Sequence, residues 1–533
     1  MTSDLRVIVA PSTYYLQTPL NFTANDSGTN GYRVIWEAQD LVRGVNILGG
    51  YVTRFTLART TRLTLRRLPM TDWAVYDQAE GIFSTNVPAG IRSRHLFANQ
   101  KHAQRARKPL DRSWLVPFSE GYSIADEASF LLALPGLDEA EIVGVNSFTH
   151  RFCPIARAGD NGTLYMKQPA FANNGNGYDT LISPFADHGF YVENSLALLD
   201  EENEWYLDSK NGKVYYKPSP EEDINKMYIV LGKLEQLLVV SGTYDSPVHD
   251  LTFRGFNYMH TTWSTYPSHS DLGTESLTNL TTDFPSSELG YVDQQTGGFI
   301  GDNTTYPDNF EASRPHWWQI PGSIQASAAH DITFQNGSLV AIMGGIGIGN
   351  DPNAHTSGVG LGVSKVEISG MYFHQTGANA ITLGGIQADA HHPPDARMIS
   401  NDNRILENIF REVAATVTSC VPIFVTYTVR TEIVHNDISH VPYSGICWGY
   451  AWGSNDVGGS PEYAERGLYN YQPVYNTPTI MASGYIAGNL IQDYGLRHND
   501  LGAIYTLSKS PNTTTKENLI IFYSSDLAGK TPP

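Results

Sequence analysis

The sequence predicts an all-β protein, a right-handed parallel β-helix (a solenoid) with an inserted β-rich subdomain. Three observations carry that expectation. Helical patterning is scarce, and apolar residues fall in short alternating runs, as at 6–10 and 250–254, closed by Gly, Asn or Asp. From about residue 248 the runs recur as an imperfect repeat, the signature of an architecture whose core grows along an axis. The composition, 41% hydrophobic and only 17% charged with 48 Gly, 30 Tyr and 29 Pro, describes a turn-rich folded chain. At 533 residues the chain outgrows one compact core, which a repeat-built core accommodates.

The repeat aligns on Leu251, Ile332, Val366, Ile405, Ile433, Ile486 and Leu519. A second strand follows the middle five after 13 to 18 residues and carries Ile348, Ile381, Ile423, Ile446 and Ile504. One such coil cannot bury its own apolar face, whereas stacked coils about 4.8 Å apart cover one another and pair their backbone groups. A β-propeller would need a constant blade period, and the successive spacings of 34, 39, 28, 53 and 33 residues do not keep one. The expected organisation is N-terminal coils over 1–75, the inserted subdomain over 76–230, and the main array over 231–533, irregular or cut short at its end. The Asn211-Gly212 turn between two aromatic strands marks a hairpin in the insertion.

A formal charge of −19, from 54 acidic and 35 basic residues, argues against a nucleic-acid partner. The basic run at Lys101, Arg105, Arg107, Lys108 and Arg112 reads as a solvated face. Three scattered cysteines, Cys153, Cys420 and Cys447, make no disulfide framework; a Cys420–Cys447 bridge is open, and buried free thiols are the simpler reading. No run of 18 apolar residues is present, so no membrane association is expected, and the first 20 residues lack a signal-peptide pattern. Seven sequons, at Asn21, Asn25, Asn161, Asn279, Asn303, Asn336 and Asn512, nevertheless favour secretion, and the chain is expected to be a monomer.

Loops that follow the second strand should leave on one edge, and three are long and polar. The first carries Asp351 and His355, the next Asp389, His391 and His392, and the third Trp448, Trp452, Asp456, Tyr463 and Arg466. The turn entering the last second strand carries His498 and Asp500 just before Tyr505, and counting back sets it against His440 and Tyr443. Glycoside cleavage needs a carboxylic acid for the leaving oxygen and a second carboxylate as nucleophile or base. Asp500 and Asp456 are the leading catalytic pair, with His440 or His498 tuning a carboxylate or replacing the acid. Tyr443, Trp448, Trp452, Tyr463, Arg466, Tyr505 and the polar residues of the first two loops are the candidate substrate contacts. Asp and Asn are also ordinary turn residues, so only convergence makes these a site. No cofactor is required by this chemistry; a divalent cation at His391 and His392 stays open, although adjacent His side chains on an extended segment point apart. The Gly-rich run 344–349 lacks the spacing of a dinucleotide loop, and Trp317-Trp318 reads equally as sugar platform or core.

The strings Gly349-Asn-Asp-Pro-Asn-Ala-His355, Asp389-Ala-His-His-Pro393, Pro442-Tyr-Ser-Gly445 and Arg466-Gly-Leu-Tyr469 are specific enough to carry a resemblance. The chain resembles the secreted right-handed parallel β-helix proteins of actinobacteria and filamentous fungi in the pectate-lyase-like superfamily, and is similar to glycoside hydrolase family 141. The resemblance runs nearly end to end and implies that fold, export, and glycan hydrolysis across the middle coils. Relatives usually read Asp-Gly-Gly before Ile-Tyr, where this chain has Asp500-Leu501-Gly502. The alternatives are a polysaccharide lyase using Tyr443 or Arg466, and a non-catalytic glycan-binding protein.

Overall fold

The computed structural model describes residues 1–53, 69–70, 73–168, 170–175, 178–263, 298–300, 317–350, 362–470 and 472–521. Strands of three to seven residues dominate, and three sheets of 10, 9 and 8 strands are parallel throughout. Sheet I runs from Leu5–Val9 through Val34–Ala38, Val248–Arg254 and Ala329–Gln335 to Thr514–Lys516. Sheet II runs from Thr13–Tyr15 to Leu519–Ile521, and sheet III from Leu20–Phe22 to Ile504–Thr506. The chain visits I, II and III in turn, so each circuit lays one strand beside its predecessor in every sheet.

Inward positions are apolar because each is covered from both sides. Ile405, Ile433 and Ile486 align in sheet I, and Ile381, Ile423, Ile446 and Ile504 in sheet III. The aromatic rings of neighbouring circuits stack, Phe373 on Phe410 at 4.7 Å and Phe253 on Phe334 at 5.4 Å. Three repeat assignments shift. Ile405 pairs with Ile368 in place of Val366, and Leu519 pairs with Leu490 in sheet II, while Thr515 takes its place opposite Ile486. In sheet III, Ile381 pairs with Ile346, two residues before Ile348. The pattern expected from sequence had two strands per unit; the third, sheet II, is short and half polar, and hides among turn residues.

The expectation of one right-handed parallel β-helix is overturned. The strands form seven separate sheets, and much of the chain is antiparallel. Between Val45–Leu48 and Leu238–Ser241 the chain leaves the parallel stack. It builds a seven-stranded antiparallel sheet, centred on Glu141–Asn146 and His150–Gly159, and two mixed five-stranded sheets. The physical reason is local: tight hairpins such as Asp208 to Lys213, with Gly212 at φ 63°, force antiparallel pairing. This block begins at Gly50–Thr53 and closes with Ile229–Gly232, and it has its own core around Ile142, Cys153, Leu164 and Val192.

The basic run is a solvated face only in part: Lys101 and Lys108 are exposed, and the arginines are paired. Arg105, with Arg94, is enclosed against Glu141 and Glu193 at 2.6 to 2.9 Å, and Arg112 pairs with Asp187. Burial works to raise the Glu141 carboxyl, and the two guanidinium groups outweigh it, holding it down to about 2. All three cysteines are buried free thiols, and burial pushes Cys447 up to about 12.

Sheets I and II meet at a turn that repeats. A residue at positive φ, Glu407, His435, Gly488 or Glu517, precedes an asparagine at 408, 436, 489 or 518. Asn436 Nδ2 donates to Ile405 O at 2.9 Å and to Asn489 Oδ1 at 2.9 Å, while Asn436 Oδ1 accepts from the backbone and side chain of Asn408. Asn489 repeats the pattern with Ile433 O and Asn518 Oδ1. Leucine at 436 keeps the branching at Cγ, is larger, and makes none of these bonds. Asn436→Leu should therefore lower unfolding free energy by about 2–4 kcal/mol in denaturant titration, because several buried backbone groups lose their partners.

Buried imidazoles set the acid limit. Desolvation pushes His102 down to about 4 and His260 to about 3, and holds His95 and His150 well below the ordinary range. These groups are neutral when folded and bind protons near pH 6.5 when unfolded, so the unfolded state takes up more protons as pH falls. Stability should be fully present above pH ~6.5 and decline steadily toward pH ~4, which thermal melts across that range would read.

Candidate active site

The strands of sheet III end in the loops that the sequence singled out, and two of these meet. The loop after Ile381–Leu383 forms a short helix, Ala388–His391, and the carbonyl of His391 accepts from Ile480 N–H at 3.1 Å. His392 stacks on Tyr475 at 3.9 Å, and its Nε2 meets Thr477 O at 2.9 Å. In a neutral ring that nitrogen carries the proton, which leaves His392 Nδ1 as the acceptor in its 2.6 Å contact with His391 Nδ1. The pair thus tie one loop to the other. Among the described residues no group of three or more His, Cys, Asp or Glu is arranged to hold a metal ion.

Asp456 lies in the second of these loops, 6% exposed. Its Oδ2 accepts from Lys509 N–H at 2.9 Å, and its Oδ1 has no hydrogen-bond partner among the described residues. Around it Asn455 Nδ2 donates to Tyr427 OH at 2.8 Å, and Tyr427 OH donates to Tyr450 O at 3.1 Å. Burial, with Asp456 nearby, holds the Tyr427 phenol above its usual range, so it stays a proton donor. The loop can start only at a glycine: a Cβ on Gly449, at φ 92°, would sit 1.7 Å from Leu507 O.

Asp500 stands at the other end of the last sheet III strand. It is exposed, at φ 50°, and its carbonyl accepts from Tyr443 OH at 2.7 Å. The backbone is therefore clamped while the carboxylate faces solvent. Beneath it His498 is buried, edge-on to Tyr443 at 5.6 Å, with Nδ1 to Asn146 O at 3.0 Å and Nε2 to Thr418 Oγ1 at 2.9 Å. Burial pushes His498 down to about 3. It is a neutral, doubly bonded joint between the parallel stack and the insertion, which removes it as a proton donor. His440 is exposed and faces Asp493, 3.6 Å away, not Asp500.

The remaining candidates divide by burial. Tyr443, Trp448, Tyr463 and His391 are enclosed. Trp448 lies in the core, its Nε1 donating to Ser510 Oγ at 3.1 Å, because every second residue of its strand points inward. It offers no face to a sugar. Trp452, Arg466, Tyr505, Asp389 and His392 are half-buried at the loop surfaces. Asp351 and His355 lie outside the described residues. Trp317 and Trp318 belong to a two-stranded antiparallel pair with Gly298–Ile300.

Contacts from the insertion were not legible in the sequence. Ser147 O accepts from Asn499 N–H at 2.7 Å, next to Asp500. Tyr178 OH donates to Glu462, and the Arg466 guanidinium lies 3.7 Å from the Tyr178 ring centre. One insertion therefore touches both the turn carrying Asp500 and the loop carrying Asp456.

Against this geometry the comparisons fall into place. Residues 151–219 match the family model described as the GH141 insertion domain. The fold is similar to that of a solved chain described as "Glycoside hydrolase", with a TM-score of 0.72 and 22% identity, covering 98% of this chain and 81% of that one. A search of curated proteins finds no match. The matched segment includes Tyr178, the residue that reaches Glu462 and Arg466.

Trp448→Ala should behave as a core truncation, costing about 3–5 kcal/mol of stability. Calorimetry reads that loss, and unchanged stability would mean the ring is not packed as described.

Proposed function

We propose that this protein is a glycoside hydrolase acting on a plant or microbial polysaccharide or oligosaccharide, with Asp456 and Asp500 as its carboxyl groups. The observation that carries the reading is the position of the matched insertion segment. Its Tyr178 packs on the loop that holds Asp456 and its His188 lies edge-on to His498, two residues before Asp500, so the part of the chain that matches a glycoside hydrolase family also borders the candidate site.

The two carboxylates flank one strand. Asp500 precedes Ile504–Thr506, and Asp456 is bound to Lys509 just past it. Two carboxyl groups that act on one glycosidic bond stand about 5–9.5 Å apart, so this reading requires the Asp500 turn and the Asp456 loop to fold toward each other over the half-buried Tyr505. Asp456 has one oxygen committed to the backbone and the other enclosed without a described partner, so this reading requires the covering loop to move before that carboxyl group meets a sugar. Asp500 faces solvent and has access to water. Elimination by a tyrosine base is less well served, because the Tyr443 phenol is buried and donates to a carbonyl. Action outside the cell fits the exposure of the sequon asparagines Asn21, Asn25, Asn161, Asn336 and Asn512; Asn279 and Asn303 lie outside the described residues.

Reducing-sugar release from a panel of plant and fungal polysaccharides should separate the roles. Asp500→Asn and Asp456→Asn are each expected to lower kcat by about 10²–10⁴-fold with unchanged melting temperature. Full activity in both variants removes the assignment, and unsaturated products from the wild type would point to a lyase.

A further inference from the structure

The tip of the insertion carries an aromatic surface that the catalytic reading leaves unused. Phe185 is 67% exposed, unusual for a ring this large, and its loop is held rigidly. Its backbone N–H donates to Asp179 Oδ1 at 3.0 Å. Asp179 is buried, at φ 49°, and spends the rest of its carboxylate on Ser147 N–H, Phe148 N–H, Thr149 N–H and Thr149 Oγ1 at 2.8 to 3.2 Å. A second clamp closes the same tip, with Ser183 N–H donating to Thr180 Oγ1 at 2.8 Å. Five hydrogen bonds to one buried carboxylate make a preorganised platform, not a loose loop.

The rings beneath are set to support Phe185 while leaving it open. Phe148 lies 6.0 Å away at 62° and Tyr178 6.3 Å away at 64°, both edge to face, and no described ring stacks parallel on it. The platform adjoins the candidate acids through two contacts already described: Ser147 holds Asn499, the neighbour of Asp500, and Tyr178 holds Glu462 and Arg466.

We propose that Phe185 is a sugar-stacking subsite, receiving the apolar face of a pyranose ring of a neutral glycan a short distance from the cleavage point. This rests on the glycan reading of the site given above. Neutral sugar is favoured because the charges around the platform balance, Asp187 paired with Arg112 and Glu462 beside Arg466 on Tyr178, which leaves no net positive field to hold a polyuronate. A rigid, exposed ring backed by two others binds such a face at little entropic cost.

The test is affinity electrophoresis of the full chain in gels containing xylan, mixed-linkage β-glucan, galactomannan or polygalacturonate. At least one neutral gel should retard the wild type. Phe185→Ala should weaken that retardation about tenfold, and Phe185→Trp should keep it. No retardation in any neutral gel, equal retardation of Phe185→Ala, or stronger retardation by polygalacturonate would each overturn the proposal. Asp500→Asn should bind as the wild type does while releasing sugar about 10²–10⁴-fold more slowly. Retained hydrolysis in that variant would count against the acid pair, whereas the binding comparison at Phe185 stands or falls separately.

Discussion

The asparagine turn between sheets I and II is the constraint on which the site depends. A circuit of short parallel strands has few side-chain contacts to fix its height, and three-residue strands slip easily unless something specifies their register. Here the side chains of Asn408, Asn436, Asn489 and Asn518 bond one another and the carbonyls of neighbouring circuits. Each asparagine is preceded by a residue in the left-handed region, so the bend and the bond are one device. Because register is set there, strands in sheet III arrive at defined heights, and the loops that follow them are brought together instead of scattered.

The insertion supplies the other half of the geometry. It leaves the stack after one strand of sheet II and returns before the next strand of sheet III, so it borders the edge where the Asp500 turn enters sheet III, and it reaches the loop carrying Asp456 through Tyr178. Its attachment is polar and specific. His150 and His498 share Thr418, with His150 Nδ1 accepting from Thr418 N–H at 3.1 Å, and Asn146 takes the far side of His498. Such enclosed imidazoles cost stability unless fully bonded, and their bonds hold two units of different construction in one orientation. Asp179 does similar work at the tip.

Much of the strand content was visible in the sequence, and less of the arrangement. The column Ile405, Ile433, Ile486 and the column Ile381, Ile423, Ile446, Ile504 were recoverable because inward positions must be apolar. Leu519 was misplaced because sheets I and II carry similar apolar residues a few positions apart across the asparagine turn, and Val366 because it is itself buried two residues before Ile368, the inward residue of the sheet I strand. The single-helix expectation erred because a repeat seen in one half of the chain says nothing about pairing in the other, where hairpins impose antiparallel sheets. Trp448 and Tyr463 looked like surface aromatics beside an acid, but alternation along the strand and the fold of the loop turned them inward.

Strand-forming runs, the apolar columns and the long polar loops were determined by the sequence alone, since alternation, burial and turn chemistry act over a few neighbouring residues. The tertiary structure decided which polar groups remain open. The carbonyl of the exposed Asp500 is held by Tyr443, 57 residues earlier, and the ring of His498 is bonded to Asn146, 352 residues away. Such pairings depend on how an inserted block docks on a stack, a long-range packing outcome that no local pattern encodes.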